Sequence, residues 1–232
     1  MKNIKFIGKS VYIESENILV ISDLHFGFEE SLNQQGVFIP RIQFKEVMRE
    51  MQDILSKIKP EKIIILGDLK HVFGNILMQE WQETVKFIDY LSENCKEVII
   101  LKGNHDKILG PIASKRDIDI REFYSEGKYF FCHGDKKFND MLNKDIEYIV
   151  MGHLHPTVTL RDKAKVEKYK CFLVGKYKNK TLVILPSFIP LTVGADLMLY
   201  GLKPFDDIDL DDFEVYDVED EVYEIGKYKE FH

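Results

Sequence analysis

The chain has 232 residues, 45% of them hydrophobic, with three cysteines and a formal net charge of -7. That length closes one sizeable core, and the composition excludes a largely disordered chain or a disulfide-stapled scaffold. The charge is unevenly placed: residues 206–224 hold 11 carboxylates and no Lys or Arg, and without them -7 becomes +4, so an acidic balance does not exclude a polyanionic substrate. The chain starts MKNIKFIGKS, which has basic residues but no apolar run of signal-peptide length. The first strand signal is Ile18–Ile21, and Asp23-Leu24-His25 follows it. Residues 28–40 are a candidate lid or homodimer contact. Residues 41–58 read as a helix beginning just after Pro40, with Phe44, Val47, Met48, Met51, Ile54, Leu55 and Ile58 at helical spacing. A second apolar run, Ile63–Leu66, leads into Gly67-Asp68, with His71 three residues on. A second amphipathic helix, 77–94, carries Leu77, Trp81, Val85, Ile88 and Leu91 on one face. A third run, Val98–Leu101, is followed by Gly103-Asn104-His105-Asp106. Strand, helix, strand, helix, strand predicts parallel pairing with right-handed crossovers.

After about residue 120 helix gives way to short strands. Tyr129–Cys132 ends at His133-Gly134-Asp135, and Ile146–Met151 ends at Gly152-His153-Leu154-His155. Residues 171–176 and 181–185 read as a hairpin around Tyr177–Lys180, and Phe213–Val218 with Val222–Ile225 as another. The segment from Arg161 to Lys180 holds eight Lys or Arg. It reads first as the solvated face of a hairpin, and second as a track for a phosphate backbone with Tyr169 and Tyr177 as stacking platforms. The acidic run is first a charged edge that blocks strand aggregation, and second a dock for a basic partner. The longest apolar stretch, around Thr181–Tyr200, is interrupted by Pro186, Pro190 and Asp196 and cannot pass as a span of about 20 residues. Cys95, Cys132 and Cys171 form no C-x-x-C pair, which suits a reducing compartment. The expectation is a soluble, cytoplasmic α/β protein with no membrane partner. It is expected to be a sandwich of two mixed β-sheets flanked by α-helices, with a main domain over 1–205 and an acidic hairpin edge over 206–232 packed on the same domain.

Five apolar runs each end in metal-ligand residue types, and in open α/β sheets sites form beyond the carboxyl ends of strands. Carboxylate, imidazole and amide without sulfur suit Mn, Fe or Zn rather than copper(I) or an iron–sulfur cluster. A side chain on Gly67, Gly103 or Gly152 would block a close approach or a tight turn. Six of the seven histidines, all but His232, fall in or beside these motifs. A lone Asp-x-His is often a turn, and Gly-Asn-His-Asp alone could be an Asx turn. Five such blocks, each after an apolar run, argue instead for one site.

The combined pattern resembles the calcineurin-like metallophosphoesterase superfamily over about Ile18 to Ser187. Within it, Ser22-Asp23-Leu24-His25-Phe26-Gly27-Phe28-Glu29 and Gly67-Asp68-Leu69-Lys70-His71 resemble compact SbcD-related, ICC-like phosphoesterases. The resemblance implies that Asp23, His25 and His155 hold one ion, that Asp68 bridges, and that Asn104, His133 and His153 hold the other. It makes His105 the catalytic histidine, oriented by Asp106, with His71 helping to place the substrate. It also implies two divalent ions as cofactors, manganese first, with iron, zinc or nickel as alternatives. Attack would be in line, by a hydroxide bridging the metals. True SbcD-type nucleases carry a capping domain and an ATPase-docking segment. Here His133 follows Asp106 by 27 positions and 45 residues follow Ser187, so neither fits. The expected function is a phosphodiesterase acting on nucleic acid or nucleotides. The alternatives are a phosphomonoesterase of small substrates, or a metal-binding subunit of a DNA-repair complex.

Overall fold

Short, nearly continuous apolar runs become the central strands of two stacked sheets. The computed structural model describes residues 3–72, 77–106, 109–110, 116, 118–162, 165–197, 201–218 and 222–231. Of the features above, Lys163, residues 198–200 and 219–221, and His232 lie outside them. The first sheet opens with a hairpin, β1 (Ile4–Ile7) and β2 (Ser10–Ile13), and continues with β3 (Ile18–Ile21). A short helix α1 (Phe28–Gln34) and a longer α2 (Gln43–Lys57) precede β4 (Lys62–Ile65). Helix α3 (Met78–Asn94) precedes β5 (Glu97–Leu101), and β6 (Asp119–Arg121) closes the sheet. Pairing follows chain order, antiparallel from β1 to β3 and parallel from β3 to β6.

The second sheet holds β7 (Phe123–Glu126), β8 (Tyr129–Cys132), β9 (Tyr148–Met151), β10 (Thr157–Asp162), β11 (Lys165–Tyr177), β12 (Lys180–Ile184), β13 (Glu214–Asp217) and β14 (Glu224–Lys227). Its order is β14-β13-β11-β12-β9-β8-β7, with β10 paired to β11, and it is parallel only at β12-β9-β8.

Side-chain alternation assigns each strand to two cores. Val20, Ile64, Leu66 and Ile99 of the first sheet pack with Phe131, Val150, Phe172 and Val183 of the second, forming the sandwich interior. Leu19, Ile21, Ile63 and Ile65 face the other way, against Val47, Met51 and Ile54 of α2 and Phe87, Ile88 and Leu91 of α3. The outer face of the second sheet has a different cover. Phe205, Ile208, Leu210, Phe213 and Tyr228 pack on Phe130, Leu173 and Leu182. In the acidic run, Ile208, Leu210 and Phe213 are buried while Asp206, Asp207, Asp209, Asp211 and Asp212 stay exposed. The described part of the run is thus an amphipathic cover, and its strand β13 lies between β14 and β11 rather than at the edge of the sheet. Gly175 is required beneath it, because a Cβ there would enter the Phe213 ring.

Candidate metal centre

The strand ends converge because their loops are bonded to one another. Asp23 N–H donates to Gly67 O (3.2 Å), His25 N–H to Asp68 O (2.9 Å), Phe26 N–H to Leu69 O (3.0 Å) and His71 N–H to Phe26 O (2.9 Å). The loops after β3 and β4 are therefore zipped together. Buried side chains brace them. Gln43 Nε2 donates to Leu24 O and His25 O at 2.8 and 2.9 Å. Glu29 accepts from the Ile42 and Gln43 amides at the start of α2. Glu80 Oε1 accepts from the His71 and Val72 amides, each at 2.8 Å.

All seven expected ligands gather in one place. Asp23, His25 and His155 form one group in which one candidate donor atom from each lies within 4.8 Å of the others, and Asp68, His133 and His153 form a second. Asp68 stands between them, its Oδ2 being 3.7 Å from His25 Nε2 and 3.5 Å from His133 Nε2. Asn104 joins the second group, its Oδ1 lying 3.0 Å from His133 Nε2. His71 and His105 make a third group with His25, again within 4.8 Å.

The backbone at these residues is unusual. Among the described residues, eight non-glycine residues have positive φ, and five of them are Asp23, His25, Asp68, His153 and His155. The left-handed region is costly for a residue with a Cβ and persists where the surroundings over-determine it. Three glycines make the crowding possible. A Cβ on Gly67 would lie 2.7 Å from His133 Nδ1; one on Gly103 would enter the Asp68 carboxylate; one on Gly152 would strike Ser22 Oγ and Asp23 Oδ2.

The donor set fits a cation. His133 Nδ1 donates to Leu66 O (2.7 Å), so the ring, once its Nε2 proton is given up, offers its lone pair at Nε2. That atom faces Asn104 Oδ1 and, at 3.1 Å, His153 Nδ1. Asp23 Oδ1 is buried without a hydrogen bond, although His155 Nε2 lies 3.0 Å away. Lone pairs converging in a buried place call for positive charge. The titration shifts agree. Burial opposes charge on His133, yet Asp68 and Asp23 raise its pKa to about 9. Burial works against the Asp23 and Asp68 carboxylates as well, and the surrounding imidazoles lower both pKa values. Burial pushes His25 down to about 3 and, with the His105 charge, His71 down to about 4. His25 and His71 are thus held in the neutral form that metal ligation needs, whereas Asp68 and Asp23 favour a proton on His133, a positive charge that a bound ion would replace.

Asp106 departs from expectation. The expected contact is from its carboxylate to the His105 imidazole; in the structure the His71 carbonyl faces His105 Nδ1. Asp106 accepts the amides of Leu69, Lys70 and Gly103, at 3.1, 3.4 and 3.1 Å, and so ties the Asp68 loop to the Asn104 loop. Burial and the Asp68 charge raise it to about 6. The aromatic track is corrected as well: Tyr177 is buried against Phe205, with its hydroxyl on Asp207, so it offers no stacking face.

Lys170 carries no motif signal, because it sits in a charge run. The residue is half-buried, but its ammonium is enclosed and donates to Ser187 O (2.9 Å), Ser187 Oγ (2.8 Å) and Ile189 O. The next amide, Phe188 N–H, bonds Ser22 O (2.9 Å), beside Asp23. Burial and nearby Lys9 depress its pKa to about 7.

Residues 16–210 match the family model for calcineurin-like phosphoesterases, and the chain belongs to that family. It is a hydrolase acting on phosphoester bonds, in a family that binds divalent metals. Among solved structures it is similar to the nuclease MPE of Pseudomonas putida. The identity is 19%, the match covers 94% of this chain and 92% of that one, and the TM-score is 0.65. It is also similar to YfcE, a phosphoesterase from E. coli, at 17% identity, 90% and 97% coverage and a TM-score of 0.46. No curated protein sequence matches. Among the described residues, no helix is long and apolar enough to cross a membrane.

Proposed function

We propose that this phosphoesterase holds two divalent ions and cleaves phosphodiesters of nucleic acids or nucleotides. The observation that carries the reading is the position of Asp68, with one oxygen within 3.7 Å of a nitrogen from each of two ligand groups. Asp23, His25 and His155 would hold one ion, Asn104, His133 and His153 the other, and Asp68 both. Manganese is the first choice, with iron, zinc or nickel as alternatives for a set of O and N donors. When bound, such ions supply Lewis acidity toward the phosphoryl oxygens and a water of lowered pKa.

The chain's own residues do the rest. His105 Nε2 lies 3.9 Å from Asp68 Oδ2, and its side chain is partly exposed. The His71 carbonyl at Nδ1 accepts the proton of that nitrogen, so Nε2 is the atom that gains and loses one. His105 would thus deliver a proton to the leaving oxygen. Asp106 and Glu80 position the loops that carry Asp68, Asn104 and His71.

Two features support a diester over a monoester. A monoester's second negative charge asks for additional cations, and the ammonium groups of Lys70 and Lys170 are engaged by main-chain carbonyls. The nuclease MPE, which shares the fold, cleaves nucleic acid as its name states. Three free cysteines, two of them buried, fit a cytoplasmic setting. Exposed Val37 and Phe38 keep the segment 28–40 as the proposed dimer contact.

The test is a manganese-loaded sample assayed on paired chromogenic mono- and diesters, then on single- and double-stranded DNA. Diester cleavage together with DNA cleavage is expected. Cleavage of the monoester alone would overturn the substrate class, and activity on neither would favour a scaffold.

A further inference from the structure

Lys170 has no place in the proposed chemistry, yet its ammonium is given to one short segment beside the metal centre. It donates to Ser187 O at 2.9 Å, to Ser187 Oγ at 2.8 Å and to Ile189 O. Three acceptors match the three protons of an ammonium, and two of them are carbonyls two residues apart, so the segment 187–189 curls around it. An apolar side chain fills such a space without the cost of enclosing a charge, so packing alone does not account for a lysine here. The amide between the two carbonyls, Phe188 N–H, bonds Ser22 O at 2.9 Å. Ser22 and Ser187 are both fully buried. From Ser22 the bonds run into the metal centre. Ser22 Oγ donates to Asp23 Oδ2 at 2.5 Å, and His153 N–H donates to the same oxygen at 2.9 Å. Asp23 Oδ1, buried and without a hydrogen bond, is the oxygen left to face an ion. Gly152 keeps room for this arrangement, since a Cβ there would lie 1.7 Å from Ser22 Oγ.

We propose that Lys170 is a positioning residue for the Asp23 ion seat. It acts through the segment 187–189 on Ser22, and Ser22 turns Asp23 so that Oδ1 alone meets the ion. The inference rests on the two-ion reading, because it assigns the effect to one ion of two. Groups that orient a metal ligand in this way change affinity about 10–100-fold when they are removed. The segment has two further anchors. The Phe188 ring is buried among the residues under α2 and α3, and Lys9 Nζ lies 3.4 Å from Phe188 O. Substituting Lys170 alone leaves both in place.

The experiment is manganese titration of the metal-free chain, with free manganese read by electron paramagnetic resonance. It is run on the wild type, Ser22→Ala, Lys170→Met, Lys170→Gln and the double variant of Ser22→Ala with Lys170→Met. Gly175→Ala is the control, because its Cβ would enter the Phe213 ring on the outer face of the second sheet and destabilise the fold away from the site. Each protein is checked for folding by its circular dichroism melt. The wild type and Gly175→Ala are expected to bind two ions alike. Ser22→Ala and Lys170→Met are expected to keep one ion at wild-type affinity and to bind the other about 10–100-fold more weakly. Lys170→Gln, which keeps a donor, should fall between Lys170→Met and the wild type, and it decides in place of Lys170→Met if that variant does not fold. The double variant should be no weaker than the weaker single, since both substitutions break one route. Wild-type affinity for both ions in Ser22→Ala or Lys170→Met would overturn the proposal. So would multiplied losses in the double variant, or a loss of the same size in Gly175→Ala. A wild type that binds a single ion would overturn the two-ion reading instead, and weaker binding of that ion in the variants would still uphold the positioning role. No bound ion would overturn both.

Discussion

Two groups of carboxylates, one in the cleft and one along the C-terminal segment, differ in nearly every physical respect. Asp23 and Asp68 are buried, stand on left-handed backbone and face imidazoles. Asp207 and Asp212 are exposed and answered by lysines: Lys137 and Lys178 for the first, Lys227 and Lys229 for the second. Both groups have lowered pKa values, but the causes differ. In the cleft, imidazole charge overcomes burial; on the surface, lysine hydrogen bonds act in open solvent. The lesson is that local charge density says little until burial is known. The acidic run dominates the net charge of the sequence, yet its neutralising partners are beside it. The cleft contributes few charges, and each is held where water cannot screen it.

Substitutions can test that contrast, and the largest effect falls at the point shared by both ligand groups. Asp68→Ala should cost at least about 10³-fold in turnover and lose bound metal, since some 4 kcal/mol of transition-state charge stabilisation goes with it. Metal analysis beside a diester assay checks this, and a variant that keeps its metal would break the bridging assignment. Gly152→Ala should come next. Its Cβ has no room beside Ser22 Oγ and Asp23 Oδ2, so overpacking of about 1–3 kcal/mol should appear as a lower urea midpoint together with weaker metal binding.

Lys170→Met probes an intermediate case, a cation enclosed by neutral acceptors. The substitution leaves the Ser187 and Ile189 carbonyls without their donor, at about 1–3 kcal/mol. The pH dependence has a definite sign. The folded pKa, about 7, lies below the ordinary 10.5, so the folded chain holds fewer protons between those values. This group therefore adds stability as pH rises from 7 toward 10, and its burial penalty is fully present below 7. Urea midpoints at pH 6.5 and 9 should show that slope in the wild type and a shallower one in the variant. Asp212→Asn should be the smallest effect, with no measurable change in midpoint, because its ion pairs sit in solvent. A large loss there would erase the contrast between the two groups.

Much of this was legible in the residues, for physical reasons. The buried strands β3, β4, β5 and β8 are continuous apolar runs because both of their faces are covered. Helices α2 and α3 announce themselves by their apolar stripes. The clustering of the proposed ligands was legible because Asp, His and Asn at successive strand ends have little other reason to recur. Other elements left weaker signals. The hairpin β1–β2 pairs a partly exposed strand across a turn at Gly8. Strand β11 starts at Lys165, six residues before the apolar stretch, because its pairing with β10 rests on backbone hydrogen bonds that charged side chains do not reveal. Helix α1 spans only seven residues, too few for periodicity to show. The left-handed turns, the backbone bonds of Asp106 and the enclosed ammonium of Lys170 depend on what folds against them, and no local pattern encodes that.

The central claim is that one cleft holds two ions and that His105 stands apart from them as the proton donor. Manganese titration of the metal-free chain, wild type and His105→Ala side by side, tests it most directly when bound metal and diester turnover are read from the same samples. The prediction is two ions per chain in both proteins, with turnover lowered about 10²–10⁴-fold in the variant. One ion or none in the wild type, or full turnover without His105, would contradict the account.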